Sequence, residues 1–230
     1  MRFDQQIEDF LRTCGAGNTA LAHLERLEFF RTDLEQANRT LNLTRITSRE
    51  DFWIKHVADS LSLGLALPTV LRQPAAVADI GFGAGFPLLP LAWANPALEI
   101  TGFEAKQKKA LFVREEAVKL GLANVRIVSQ QAREAARSQA YAGAFDIVVA
   151  RAVKDGPYMV RHCRQFLRPS RPSALVLYKT PATVQQELDK TKREAARYEL
   201  HVHVSQEITL PYKAGTRQFI IIQNGAELPS

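Results

Sequence analysis

The sequence predicts an α/β fold, a mostly parallel, doubly wound sheet preceded by a helical segment. Three observations carry this prediction. From residue 75 onward, short apolar runs alternate with helix-length stretches, as in consecutive βαβ units. The first run, Ala75–Gly81, ends on glycines, as a buried strand entering a tight turn does. Ahead of it, the first 65 residues read as helix.

Taken in order, Leu21, Leu24, Leu27, Phe30 and Leu34 recur at spacings of three and four, one face of an amphipathic helix. Ser48-Arg49-Glu50-Asp51 forms a capping arrangement, with Ser48 as N-cap ahead of Phe52, Trp53, Ile54 and Val57. Leu98–Glu104 reads as the second strand, Lys106–Leu120 as a helix stopped by Gly121, and Val125–Ser129 as the third strand. Phe145–Ala150 is the most strand-like segment, followed by a helix over about Pro157–Leu167 and a strand over Ala174–Tyr178. Thr183–Tyr198 is helical by pattern. His201–Val204 and Arg217–Gln223 then follow with no helix between them, which predicts a C-terminal antiparallel hairpin at one sheet edge. Residues 1–70 are expected to form a helical extension packed on a core unit of residues 71–230.

Composition narrows the classes. With 230 residues, 46% hydrophobic and 23% charged, the chain is neither wholly disordered nor fibrous. No apolar run approaches the ~18–20 residues of a membrane helix. The polar, acidic stretch Met1–Phe10 lacks the apolar core of a secretory signal, so a soluble cytoplasmic protein is expected. Cys14 and Cys163 are too few for a disulfide scaffold, and the five scattered histidines lack cysteine partners at zinc-ligand spacing, so no metal site is expected. The net charge of +6 hides an asymmetry. Residues 1–104 carry 9 Lys/Arg against 13 Asp/Glu, and residues 105–230 carry 21 against 11. A basic half points to a polyanionic partner such as nucleic acid, or to scattered solvated charge.

The most informative stretch is Asp79-Ile80-Gly81-Phe82-Gly83-Ala84-Gly85-Phe86-Pro87. Glycines after a strand let the backbone turn sharply and let a ligand approach the main chain. Pro87 suits the first turn of the following helix. A dinucleotide loop reads Gly-x-Gly-x-x-Gly, but here bulky Phe86 stands in the third glycine's place. The spacing Gly81, Gly83, Gly85 is instead similar to the first motif of S-adenosylmethionine-dependent methyltransferases; a tight βα turn without a ligand is the alternative. Glu104, about 20 residues beyond and ending the second strand, is placed to accept from both ribose hydroxyls.

Several separated segments carry a wider resemblance: Asn42-Leu43-Thr44 with Ile46, His56-Val57-Ala58-Asp59-Ser60-Leu61, Gly83-Ala84-Gly85-Phe86-Pro87, Lys108-Lys109, and Phe145-Asp146 leading into Ala150-Arg151-Ala152. Over roughly residues 20–223 the chain resembles the bacterial glucose-inhibited division protein B family, the 16S ribosomal RNA guanine-N7 methyltransferases. The resemblance implies a class I methyltransferase, Rossmann-like fold, S-adenosylmethionine as cofactor, and 16S ribosomal RNA or the small ribosomal subunit as partner; a monomer is expected, though the sequence does not fix the oligomeric state. It places Gly81 and Phe86 against the methionine and adenosine parts of the cofactor, and the Ala132-Arg133 main chain near the adenine. Arg151 falls on the family's cofactor and substrate-site arginine, the candidate catalytic residue. The departures are Phe82 for a usual Ser or Thr, Glu104 for Asp, and Arg133 for a frequent Glu. Tyr178-Lys179-Thr180 stands for Leu-Lys-Gly, and Arg217-Gln218 for Arg-His. The alternative reading is a methyltransferase for another RNA or a small molecule.

Guanine N7 carries a lone pair and no proton, so methyl transfer to it asks for alignment and no general base. Arg151 could read a guanine edge or a phosphate, or be structural, paired to Asp79 or Asp146. His56 and Asp59, three apart on a helix, read as an internal pair anchoring the N-terminal helices. Lys106, Lys108, Lys109 and Arg114, together with Lys179, are the preferred RNA contacts. Arg161, Arg164, Arg168 and Arg171 form a second group, and Lys190, Lys192, Arg193 and Arg197 a third. Phe82, Phe86 or Tyr178 is a candidate to stack on the target base.

Overall fold

The computed structural model describes residues 4–46, 48–68 and 73–225, with the side chain of Thr19 left aside. The start of the stretch read as signal-free and the boundary drawn at residues 70 and 71 fall in part outside the described residues.

Helices come first. α1 (Gln5–Thr13) is capped by Asp4, whose side chain accepts from Ile7 N. α2 (Asn18–Leu21) leads to α3 (Leu24–Leu41), which buries Leu24, Leu27, Phe30 and Leu34, the stripe the periodicity predicts. α3 ends at Asn42, left-handed at φ 48, a C-cap conformation that Asn tolerates. Ser48 accepts from Asp51 N and opens α4 (Arg49–Asp51). The chain then widens into a π-helix over Phe52–Ala58 before α5 (Asp59–Leu61) and α6 (Leu63–Ala66). The sequence shows no sign of that widened turn, which places His56 and Asp59 on the sheet side.

The remainder alternates as β1 (Ala75–Ile80), α7 (Leu88–Ala94), β2 (Leu98–Phe103), α8 (Gln107–Lys119), β3 (Val125–Val128), α9 (Ala132–Ala135), β4 (Ile147–Arg151), α10 (Gly156–Cys163), β5 (Ser173–Lys179) and α11 (Pro181–Ala196), as predicted except for the short α9, which the pattern does not signal. β6 (Leu200–Val204), the two-residue β7 (Ile208–Thr209) and β8 (Thr216–Asn224) finish it. Pro87 is the N-cap of α7, one residue ahead of the first turn.

The strand order is β3-β2-β1-β4-β5-β8-β6, with β7 added to β8. β1 to β5 pair in parallel, and β8 runs antiparallel between β5 and β6. The central strands are buried on both faces, which explains their continuous apolar runs. Alternation along β4 and β5 divides the core: Val149 and Val176 face one cluster, Val148, Ala150, Leu175 and Leu177 the other. The first cluster also holds Leu11, Leu27, Phe30 and Trp53, so the N-terminal helices share a core with Leu88, Val113 and Phe219. Among the described residues no helix is long and apolar enough to cross a membrane.

Candidate active site

The chain reverses direction across the sheet between β1 and β4, and ligands of open α/β sheets bind beyond the strand ends at such a point. A cleft of about 710 Å³ lies there, lined by Gly81, Glu104, Lys106, Ala132, Arg133 and Ala152 among others. Glu104 directly follows β2 and accepts from Lys106 N at 2.9 Å and Gly83 N at 3.2 Å. A carboxylate has about four lone-pair sites, so acceptor capacity remains for a ligand. Ala132 and Arg133 open a short helix at the rim, with the Arg133 side chain half exposed.

The glycines differ in what they do. A Cβ on Gly81 would lie 2.9 Å from Val153 Cγ1, so Gly81 lets the segment after β4 approach the loop. A Cβ on Gly83 would meet nothing nearer than Gly81 O at 4.0 Å, so this position faces open space. Gly85 packs instead on Leu89 and Val113, and serves the joint between loop and helix. All three have positive φ.

Over the glycine loop lies a second cleft of about 350 Å³, which shares Gly81, Glu104, Lys106 and Ala152 with the first and adds Thr44, Gly83, Phe86 and Lys109. Beyond Arg151 a third cavity of about 650 Å³ begins, where Lys55, Arg151, Lys179 and Arg217 face Asp59 and Glu187. Ala152 lines all three spaces at φ 54, a backbone strain of the kind that gathers at functional sites.

Arg151 holds the centre. Its Nη1 donates to Asp59 Oδ2 at 2.7 Å and to Lys55 O, in the π-helix, at 3.0 Å. Its Nη2 donates to His56 Nδ1 at 2.9 Å. These bonds use three of its five N–H groups, and Nε with one Nη2 hydrogen has no partner among the described residues. Asp59 also accepts from Arg217 Nε at 2.5 Å. The structural pairing expected with Asp79 or Asp146 is corrected: Arg151 pairs with Asp59, while Asp146 takes Arg168 and Arg171. His56 and Asp59 likewise form no pair with each other but converge on Arg151. The His56 ring stacks on Phe86 at 4.1 Å and 4°. Burial, aided by the Arg151 charge, pushes its pKa down to about 3, so the imidazole is neutral. Asp79, fully buried below the loop, has no well-formed hydrogen bond to either oxygen among the described residues, and burial, opposed by the Arg151 charge and the nearby Leu88 N–H, raises its pKa to about 8.

The expected base-stacking role of Phe82, Phe86 or Tyr178 does not hold. All three rings are at most 3% exposed, because large aromatic surfaces were recruited to the core. Phe86 reaches the second cleft only as wall, and the Tyr178 hydroxyl donates to Ser60 O at 2.7 Å. Of the RNA candidates, Lys106 and Lys108 are exposed and Lys109 half-buried at the start of α8, beside the clefts. Arg114 lies further along α8 and donates to Ile127 O, away from them. Lys179 is largely buried, ion-paired to Glu187 at 2.8 Å, and lines the third cavity. The second basic group is a set of internal ties: Arg161 binds Glu194, Arg168 and Arg171 bind Asp146, and Arg164 lies over Tyr198 at 3.8 Å. In the third group Arg197 binds Glu194, while Lys190, Lys192 and Arg193 lie exposed along α11. Among the described residues no cluster of His, Cys, Asp or Glu could hold a metal ion.

Sequence reasoning noted Arg217 only as part of a C-terminal departure and missed its place in the site. No spacing in the chain links residues 59, 151 and 217; only the position of β8 beside β5 brings Arg217 to Asp59.

In overall fold the chain is similar to the O-methyltransferase from Bacillus cereus in complex with SAH, with a TM-score of 0.58 and 16% identity over 84% of this chain and 90% of that one. A SAM-dependent O-methyltransferase from Thermotoga maritima matches with a TM-score of 0.55, over 86% of this chain and 73% of that one. The fold is that of the class I methyltransferases. In sequence the chain is 31% identical to the ribosomal RNA small subunit methyltransferase G of Dehalococcoides mccartyi (strain CBDB1), over 90% of this chain and 86% of the relative. It is 30% identical to the protein of that name from Lactobacillus helveticus, over 88% and 83%. The profile of one family, GidB (rRNA small subunit methyltransferase G), matches residues 23–215, and the chain belongs to that family.

Proposed function

We propose that the protein transfers a methyl group from S-adenosylmethionine to N7 of a guanine in 16S ribosomal RNA. One observation carries the reading: three adjoining spaces with shared lining residues extend from Glu104 over the glycine loop to Arg151, the last of them a cavity lined by Lys55, Arg151, Lys179 and Arg217. That shape suits an elongated cofactor meeting an anionic substrate. The residues fit the cofactor, because Gly83 leaves open space where a Cβ would intrude and Glu104 keeps free acceptor capacity beside it.

In this reading Glu104 accepts from the ribose hydroxyls, and the Ala132-Arg133 main chain borders the adenine. Gly81 and Gly83 let the ligand lie against the backbone, while Gly85 and Phe86 support the loop. The bound cofactor supplies an electrophilic methyl on sulfur. The chain's own task is alignment: it holds N7 in line with that methyl, and no residue has to remove a proton. Arg151, tied on three N–H groups, presents the other two to the guanine edge or its phosphate. Lys106, Lys108 and Lys109 receive phosphates along the approach. In this reading the protein acts as a monomer where small subunits assemble, in the cytoplasm.

The test is methyl transfer to 16S RNA or small subunits from cells lacking the protein, followed by mapping of 7-methylguanosine. Label at a single guanine N7 is expected. Label elsewhere on RNA, or on small molecules alone, overturns the reading.

A further inference from the structure

Among the described residues, the Thr44 hydroxyl proton has no acceptor, because its oxygen is the acceptor in both of its contacts. Arginine can only donate, so the Arg151 Nη2 contact at 2.9 Å makes His56 Nδ1 an acceptor. A neutral imidazole that accepts at Nδ1 carries its proton on Nε2. His56 Nε2 therefore donates to Thr44 Oγ1, 2.9 Å away. Ile46 N donates to the same oxygen at 3.0 Å. A hydroxyl has two acceptor lone pairs. Both are taken, so the Thr44 proton points elsewhere.

The main chain around this hydroxyl is pinned. Asn38 accepts through Oδ1 from Leu43 N and Thr44 N, and donates through Nδ2 to Thr44 O, at 2.7 to 2.9 Å. The left-handed turn at Asn42 delivers the segment to that position. Thr44 lines the cleft of about 350 Å³ over the glycine loop, beside Gly83, Lys106, Lys109 and Arg151.

We propose that the Thr44 hydroxyl donates a hydrogen bond to the α-carboxylate of the methionyl tail of the cofactor, and so fixes which adenosyl compounds the site retains. The inference rests on the cofactor reading above. With adenosine at Glu104 in the larger cleft, the tail continues over the glycine loop into the smaller one. A carboxylate only accepts hydrogen bonds, and it meets there a proton without an acceptor among the described residues, together with Lys106 and Lys109 against the single lining carboxylate of Glu104, the Arg151 charge being shared with Asp59. The guanine belongs in the roomier cavity beyond Arg151.

The experiment is calorimetric binding of two ligands to the full-length protein. S-adenosylhomocysteine carries the aminocarboxypropyl tail, and 5′-deoxy-5′-methylthioadenosine lacks it. Thr44→Val is expected to weaken S-adenosylhomocysteine about tenfold to a hundredfold, the scale of a lost bond to a charged group. Methylthioadenosine affinity stays unchanged, which reports an intact loop, and Thr44→Ser keeps both affinities within about twofold. Equal losses for both ligands overturn the proposal in favour of a structural hydroxyl. Unchanged S-adenosylhomocysteine binding overturns it too, and a raised KM for RNA alongside would assign the proton to the base. A wild-type protein that binds neither ligand overturns the cofactor reading itself.

Discussion

Asp59 and Arg151 meet at 2.7 Å with the carboxylate only 2% exposed, and the same carboxylate holds Arg217 on its other oxygen. One buried anion thus restrains two guanidiniums from distant parts of the chain, one at the end of β4 and one on β8. Asp59→Asn keeps the shape and removes the charge, leaving two crowded cations. Breaking a buried pair from one side costs about 3–5 kcal/mol, and the variant should lose that much in urea denaturation together with most of its methyl transfer. A loss below about 1 kcal/mol would show that solvent screens the cluster.

Gly83 and Gly102 separate binding from packing. Gly83 has φ +58 and open space at the Cβ position, so Gly83→Ala costs about 1 kcal/mol of backbone strain while its methyl projects into the cleft. Cofactor affinity should fall at least about tenfold. Gly102 faces Leu88 Cδ1 and the Phe82 ring so closely that any Cβ overlaps them. Gly102→Ala should destabilise the protein by about 1–3 kcal/mol through overpacking. Calorimetry on both, with denaturation curves, checks the contrast; a Gly83 variant with unchanged affinity would remove the loop from the cofactor site.

Where the site was legible in the chain, local physics made it so. The glycine loop, Glu104 at the end of β2 and Arg151 at the end of β4 each follow from a strand and what stops it, and strands announce themselves by apolar runs. The Ser48 cap and the Leu24-to-Leu34 stripe are local in the same way. The grouping around Asp59 is not local: residues from the π-helix, β4 and β8 meet only once the sheet order is known. Charge misled for a related reason. Arg161, Arg168 and Arg171 read as a basic surface, yet their partners Glu194 and Asp146 lie 22 to 33 residues away and are invisible to a count of neighbours. Aromatic rings misled as well, since Phe82 and Tyr178 gain more from burial than an exposed stacking role would give them.

Asp79 links stability to pH. Its folded pKa of about 8 lies above the model-peptide value of 3.8, so the folded protein binds the proton more tightly than the unfolded chain. The stability this contributes is fully present below about pH 4, declines as pH rises, and is gone above about pH 8. Asp79→Asn cannot titrate. The stability difference between variant and wild type should therefore move in the variant's favour from pH 5 to pH 8, by an amount on the order of a few kcal/mol. Denaturation at both pH values reads the difference directly, and a gap that does not change with pH would place a counter-charge on Asp79 that neutralises the burial.

Lys108 and Lys109 differ from Arg161 in what already holds them. Arg161 is committed to Glu194 through two hydrogen bonds at 3.0 and 3.1 Å, whereas Lys108 is exposed at the start of α8, and Lys109 borders the cleft. A cation that neutralises a phosphate releases condensed counterions, and each such contact adds about 0.7–0.9 to the slope of log affinity against log salt. Replacing Lys108 and Lys109 together by Ala should flatten the slope for 16S RNA by about 1.5, and Lys108→Ala alone, which leaves the cleft lining intact, should not change S-adenosylhomocysteine binding. Arg161→Gln should leave the slope alone and cost stability instead, because its partner is internal. Filter binding from low to moderate salt distinguishes the two, and a slope that follows Arg161 and ignores the lysines would move the RNA path to the opposite face of the sheet.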